Sequence, residues 1–235
     1  MRKDYLVNNN GTQIHYAVLN KTTDGSQNMP WVIIPGMGNS ADDVIADLGD
    51  AFPDYQVHIS LRGRGKSDSP DEGYALNDHI SDIEVVANHL GLEQFYLYGH
   101  SIGSSMAIRY AHLYPHKVAA LAMGDFPPMY PPHDENWAES VLANIDEIDM
   151  TEKAVRGIVA CGEDYIELSD ELAALTCPIL LIRGGQDDAF FKEEHEPYIR
   201  DIVPTIQIAV LNESGHELLL PTPAPFVAAL QNFVR

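Results

Sequence analysis

The stretch FYLYGHSIGSSMAIRYAHLYP, residues 95–115, constrains this chain more than any other. It begins as an apolar run suited to a buried strand, passes Gly99, Ser101 and Gly103, and becomes helical at once. Glycines two residues either side of a serine permit a very sharp strand-to-helix turn, because side chains there would collide as the backbone doubles back. Such a turn is strained and drives the serine hydroxyl into the open. Its value depends on which other residues meet that hydroxyl.

Short apolar runs recur along the chain, each followed by a helix-like segment: WVIIPG, YQVHIS, QFYLYG, VAALAMG, PILLIRG and TIQIAVL. This alternation predicts parallel strands with crossover helices on both faces of one sheet. Before them, DYLVNN and TQIHYAVLN flank an Asn/Gly-rich turn at Asn8 to Gly11 and read as an N-terminal hairpin, closed by the polar loop KTTDGSQNMP. In LNDHISDIEVVANHLG, Leu76, Ile80, Ile83, Val86, Ala87 and Leu90 share one helix face and Gly91 is the stop. The connection between VAALAMG and PILLIRG, about residues 127–177, is too long for an ordinary crossover and reads as a small helical lid inserted into a single 1–235 domain.

At 235 residues and 45% apolar content the chain can bury one substantial core. Its 35 acidic and 14 basic side chains give a formal net charge of -21, which repels phosphate backbones and anionic lipid. Nucleic acid and membrane are therefore excluded as expected partners, and a small molecule is the expected one. The opening MRKDYLVNNNG carries no apolar stretch of the signal or membrane-spanning kind, so a cytoplasmic location is expected. Cys161 and Cys177 have no metal-site spacing and read as reduced packing residues.

In an open parallel sheet, reactive groups collect beyond the carboxyl ends of the strands. PGMGNS, LRGRGKSDSP, GHSIG, GGQDDAF and NESGHE all follow apolar runs, so Ser101, an acid at Asp187 or Asp188, and His216 each stand just past a strand end. Asp125, just after VAALAMG, is a third acid in such a position. A serine hydroxyl is a poor nucleophile at neutral pH; a histidine must take its proton, and a carboxylate must orient that imidazole.

With GHSIG between strand and helix, a downstream Asp, and SGH ahead of the terminal helix PTPAPFVAALQNFV, the chain resembles the α/β-hydrolase fold family over nearly its whole length. The resemblance implies a mostly parallel central sheet with helices on both faces and a triad in the order serine, acid, histidine. Counting from Gly184 in the family's strand-Gly-x-x-Asp pattern selects Asp187; a loop one residue longer selects Asp188, and some relatives supply the acid from the position of Asp125. It also assigns the oxyanion donors to the backbone N–H groups of Met37, in Pro35-Gly36-Met37-Gly38, and of Ile102. Three departures stand out: Pro35 replaces the usual histidine of that turn, Ser60 replaces the aspartate before Leu61-Arg62-Gly63-Arg64-Gly65-Lys66-Ser67, and Ser104 replaces a glycine. The Arg-rich loop reads as structural, since it has no phosphate-loop spacing, and His100 is expected to pack beneath the elbow.

A serine rather than an aspartate at the elbow favours acyl transfer to water. Phe126, Met129, Tyr130, Phe190 and Phe191 are expected to border an apolar pocket. No metal, nicotinamide or flavin motif accompanies these residues, so no cofactor is expected. The leading expectation is a serine hydrolase of the carboxylesterase type cleaving a small, largely apolar ester through an acyl-enzyme. A carbon–carbon bond hydrolase of the same fold, or a weakly catalytic ligand-binding receptor, are the alternatives.

Overall fold

All six apolar runs are strands of one sheet. The structure is a computed structural model and describes residues 1–21 and 29–235. In chain order its elements are β1 (Arg2–Asn9), β2 (Thr12–Leu19), β3 (Trp31–Ile34), α1 (Ala41–Leu48), β4 (Gln56–Ser60), α2 (Leu76–His89), β5 (Phe95–His100), α3 (Ile102–Leu113) and β6 (Val118–Gly124). There follow β7 (Met129–Tyr130), α4 (Glu135–Leu142), α5 (Glu152–Cys161), β8 (Ile166–Glu167), α6 (Ser169–Ala173), β9 (Ile179–Gly184), α7 (Glu196–Ile202), β10 (Gln207–Leu211) and α8 (Ala224–Phe233). Most of the polar loop read at residues 21–30 lies outside the described residues.

The main sheet has eight strands in the order β1-β2-β4-β3-β5-β6-β9-β10. From β4 to β10 every neighbouring pair is parallel, whereas β1–β2 and β2–β4 are antiparallel. The β1–β2 hairpin closes through Asn10 and Gly11, both at positive φ (50° and 99°), the geometry a two-residue hairpin turn needs to match strand twist.

Strand alternation divides the core into two layers. Val32, Ile34, Leu97, Leu121, Met123 and Leu181 face the side covered by α2 and α3, where Ile80, Ile83, Val86, Met106 and Tyr110 meet them. Trp31, Ile33, Tyr98, Ala122, Leu180 and Ile182 face the other side, against Leu48 of α1 and Phe226, Val227 and Leu230 of α8. Each large aliphatic or aromatic side chain buried in this way contributes roughly 1.5–3 kcal/mol. A buried ion pair ties the α2 layer to the loop after β4: Arg62 Nε and Nη2 donate to Asp82 at 2.8 and 2.7 Å.

Residues 127–177 hold the β7–β8 pair and helices α4, α5 and α6. They form a third apolar cluster around Ala138, Met150, Ala154, Val155 and Ile158, closed by Tyr74. Backbone hydrogen bonds sew this segment to the loops after β3 and β4: Asp149 N to Gly38 O (2.8 Å), Gly65 N to Asp149 O (3.0 Å) and Thr151 N to Gly63 O (3.0 Å).

Candidate active site

The junction of β5 and α3 has the sharp turn that its glycines require. Ser101 sits at φ 53°, ψ -129°, a strained conformation for a residue with a side chain. A Cβ on Gly99 would overlap the carbonyl of Gly103, and one on Gly103 would stand 2.6 Å from Pro35 O, so neither position admits a side chain without backbone movement. The turn is held from the neighbouring strand, Ser101 N donating to Gly124 O at 2.8 Å. Ser104, the departure from the family's glycine, strengthens that tie: its hydroxyl donates to Gly99 O (2.8 Å) and accepts from Gly124 N (3.0 Å).

The loop after β10 carries His216 back over the strand ends to this turn. His216 Nε2 lies 3.0 Å from Ser101 Oγ, and Nδ1 lies 2.8 Å from Asp125 Oδ2. The carboxylate that meets the imidazole is thus Asp125, not Asp187 or Asp188. Asp125 occupies the left-handed region at φ 49°, directly after β6, and this turns its side chain beneath the loop that follows β9. There it is fully buried and accepts N–H bonds from Phe190 (2.7 Å to Oδ2), Phe191 (3.2 Å to Oδ1) and Gly184 (3.3 Å to Oδ1). Three converging amides and an imidazole supply the hydrogen bonds that make a buried carboxylate tolerable.

Asp187 and Asp188 are both exposed. Lys192 Nζ donates to the backbone carbonyl of Asp187, and the Asp188 carboxylate packs over the Cα of Gly215, where a side chain would collide with it. Because Gly185 N bonds Leu211 O and Ser214 O, and Gln186 N also bonds Ser214 O, the loops after β9 and β10 are clasped through their backbones. That clasp leaves the two aspartate side chains on the solvent side.

Of the other residues singled out, Met37 and Ile102 lie in the turn after β3 and at the first position of α3. Among the described residues neither amide donates a hydrogen bond, as expected for the opening of a helix and a tight turn. The Gly36 Cβ position is 3.5 Å from Ser101 Cβ, so this turn abuts the elbow. Phe190, 54% exposed, stacks on the His216 ring at 3.8 Å between centroids and 21° between planes, with Phe126 6.3 Å away. Phe191 and Tyr130 are instead almost fully buried in the main core, and Met129 packs at its edge, so the five aromatic and thioether positions do not form one continuous wall.

His100 has its ring 5.0 Å from that of His216 and is pushed down to about 3 by burial, which keeps it neutral. It borders a cavity of about 30 Å³ with Gly36, Asn39, Tyr98 and Glu217, room for about one water. Burial raises the Glu217 carboxyl above its ordinary range. Sequence reasoning missed this small, mostly apolar cavity on the α1/α8 side of the elbow.

An imidazole held between a hydroxyl and a buried carboxylate can take the hydroxyl proton as the oxygen attacks a carbonyl. The chain belongs to the α/β-hydrolase fold family, whose model matches residues 30–148. It is 25% identical over 263 aligned residues to N-formylmaleamate deformylase of Pseudomonas putida, covering 97% of this chain and 95% of that protein. Among solved structures it is similar to an esterase from Exiguobacterium antarcticum, with a TM-score of 0.76 and 18% identity over 95% of this chain and 96% of that one. It is also similar to the N-formylmaleamic acid deformylase of Pseudomonas putida S16, with a TM-score of 0.75 and 23% identity over 98% and 100% of the two chains. Among the described residues no helix is long and apolar enough to cross a membrane.

Proposed function

We propose that this chain is a serine hydrolase that cleaves a small, largely apolar carboxylic ester through an acyl-enzyme, with Ser101 as nucleophile, His216 as general base and acid, and Asp125 as the group that orients the imidazole. The observation that carries this reading is the continuous hydrogen-bonded chain from Ser101 Oγ through both nitrogens of His216 to the buried Asp125 carboxylate. As Ser101 Oγ attacks the carbonyl carbon, its proton passes to His216 Nε2 and the carbonyl oxygen becomes an oxyanion, for which the Met37 and Ile102 amides are the donors. Collapse expels the alcohol with the proton from His216. Water then attacks the acyl-enzyme by the same route and releases the acid. Residues 127–177 serve as a small lid within the single domain, and Phe190 shields the imidazole from bulk water.

The test is covalent labelling of the purified protein with a fluorophosphonate probe alongside hydrolysis of short-chain p-nitrophenyl esters. Labelling at Ser101, with both labelling and turnover abolished in Ser101→Ala, is the expected result. A folded protein that neither labels nor hydrolyses any such ester refutes it. The likeness to a deformylase along nearly the whole chain makes N-formyl and other N-acyl compounds the second substrate set for the same assay, since the same serine attack forms an acyl-enzyme from an amide once His216 protonates the leaving nitrogen.

A further inference from the structure

The loop after β4 carries two arginines that are treated very differently. Arg62 has its full counter-charge in the buried Asp82. Arg64 is 1% exposed, the second-largest of the fully buried side chains, and no carboxylate among the described residues comes within ion-pairing distance of it. Its Nε donates to Met37 O (3.1 Å), Nη1 donates to Arg62 O (2.7 Å), and Nη2 lies against Met37 Sδ (3.1 Å). A guanidinium has five N–H donors, and a thioether is a weak acceptor, so among the described residues two donors here have no partner and a third has a poor one.

Burial lowers Arg64 to about 10, which still leaves it charged at neutral pH. Among the described residues no carboxylate pairs with it directly; Asp82, already held by Arg62, acts on it only from a distance. Around it, burial holds His79 well below its ordinary range and His133 at about 4, both with Arg64 as a further cause. These imidazoles are therefore neutral, and both ring nitrogens of His79, fully buried, lack a partner among the described residues. The cluster is a fully buried positive charge beside neutral imidazoles, with spare donors and, among the described residues, no paired anion, which is costly to keep unless an anion completes it.

Met37 joins this cluster to the elbow. Its preceding glycine packs toward Ser101, while its own carbonyl and sulfur rest on Arg64. Since the amide and carbonyl of one residue are under about 4 Å apart, the guanidinium lies within about 7 Å of the Met37 N–H. A thioether on three rotatable bonds is easily displaced, and its movement would present Nη2 to an incoming group.

We propose that Arg64 is the counter-charge for a carboxylate on the substrate, so that the site takes small acyl compounds bearing one acid group about two to four carbons from the scissile carbonyl. This rests on the hydrolase reading above and narrows it: one buried cation recognises the far end of the substrate. The carboxylate would accept from the Nη donors and replace a weak sulfur contact by charge-assisted hydrogen bonds.

The test compares 4-nitrophenyl hydrogen glutarate with methyl 4-nitrophenyl glutarate, the enzyme-free rate subtracted. Wild type is expected to favour the anionic ester in kcat/KM, and Arg64→Met to lower that anionic-to-neutral ratio by about tenfold or more. Where Arg64→Met fails to fold, Arg64→Lys keeps the charge but not the planar fork and lowers the same ratio by a smaller factor. A second readout needs no turnover: glutarate raises the melting temperature of Ser101→Ala but not of Ser101→Ala/Arg64→Met. A ratio unmoved by either Arg64 substitution, or equal losses on both esters with no glutarate-dependent shift, overturns the proposal and leaves Arg64 as a brace for the Met37 turn. Glutarate binding that depends on Arg64 in a protein with no esterase activity would instead uphold the anion site and remove the hydrolase reading.

Discussion

Replacing Asp125 by Asn separates the three acids that follow strand ends. In the structure Asp125 Oδ2 accepts from His216 Nδ1 and Phe190 N, while Oδ1 accepts from Gly184 N and Phe191 N. All four neighbours are donors. An asparagine has one acceptor oxygen and one NH2, so either orientation sets that NH2 against two N–H groups. With the NH2 toward His216, Nδ1 must become the acceptor, and the proton moves to Nε2, where it points at Ser101 Oγ and no base remains. The loss expected is about 10⁴ in kcat, equivalent to about 5.5 kcal/mol of barrier. Two buried donors without acceptors also cost about 1–3 kcal/mol each in stability. The assay is kcat for p-nitrophenyl butyrate per mole of folded protein, alongside a melting curve to confirm folding. Asp187→Asn and Asp188→Asn alter exposed side chains and are expected to stay within about ±0.5 kcal/mol of wild type in stability, with kcat unaltered. Retention of more than about a tenth of kcat in Asp125→Asn, or collapse of kcat in either of the other two, refutes the reasoning.

Ser104→Ala removes the acceptor of Gly124 N and the donor to Gly99 O, and should cost about 1–3 kcal/mol in urea unfolding; an unchanged midpoint would show that the hydroxyl does not brace the two strands. Acid stability follows from His58 and His100, both pushed by burial to about 3, and His79, pushed well below its ordinary value. Each stays neutral when folded and takes up a proton on unfolding below the ordinary histidine value of about 6.5. Stability is therefore full above that pH and falls as pH drops toward about 3, by up to about 1.4 kcal/mol per pH unit for each histidine. Urea midpoints that stay level between pH 7 and pH 5 would contradict this, and His58→Gln should make the decline shallower.

The sheet was readable because its strands are dense apolar runs with turn residues at their ends, and the elbow because glycine spacing is a local steric demand. Ser101 and His216 follow from those two facts. The acid does not, because Asp125, Asp187 and Asp188 all stand past a strand end, and what separates them is tertiary: a left-handed backbone at 125 and three amides from the last residue of β9 and the loop after it, some sixty residues on. The Gly-Asp pair closing VAALAMGD was the available signal. Phe191 illustrates a related limit, since neighbours in FF share composition but not direction; one covers an imidazole and the other fills the core. Ser104 departs from the family's glycine, and its consequence is equally tertiary: two hydrogen bonds that link β5 to β6. A structural reading of the Arg-rich loop describes Arg62 and its bond to Asp82. It does not describe Arg64, whose isolation is a property of its surroundings alone.

Because nucleophile and carboxylate stand at the ends of the adjacent strands β5 and β6, the loop after β9 supports the acid only through main-chain amides. Its path is fixed while the exposed side chains at 186–188 are free of the triad. Those three residues can therefore exchange identity across descendants of this chain without disturbing proton transfer, and that makes them the natural ground for acquiring new selectivity.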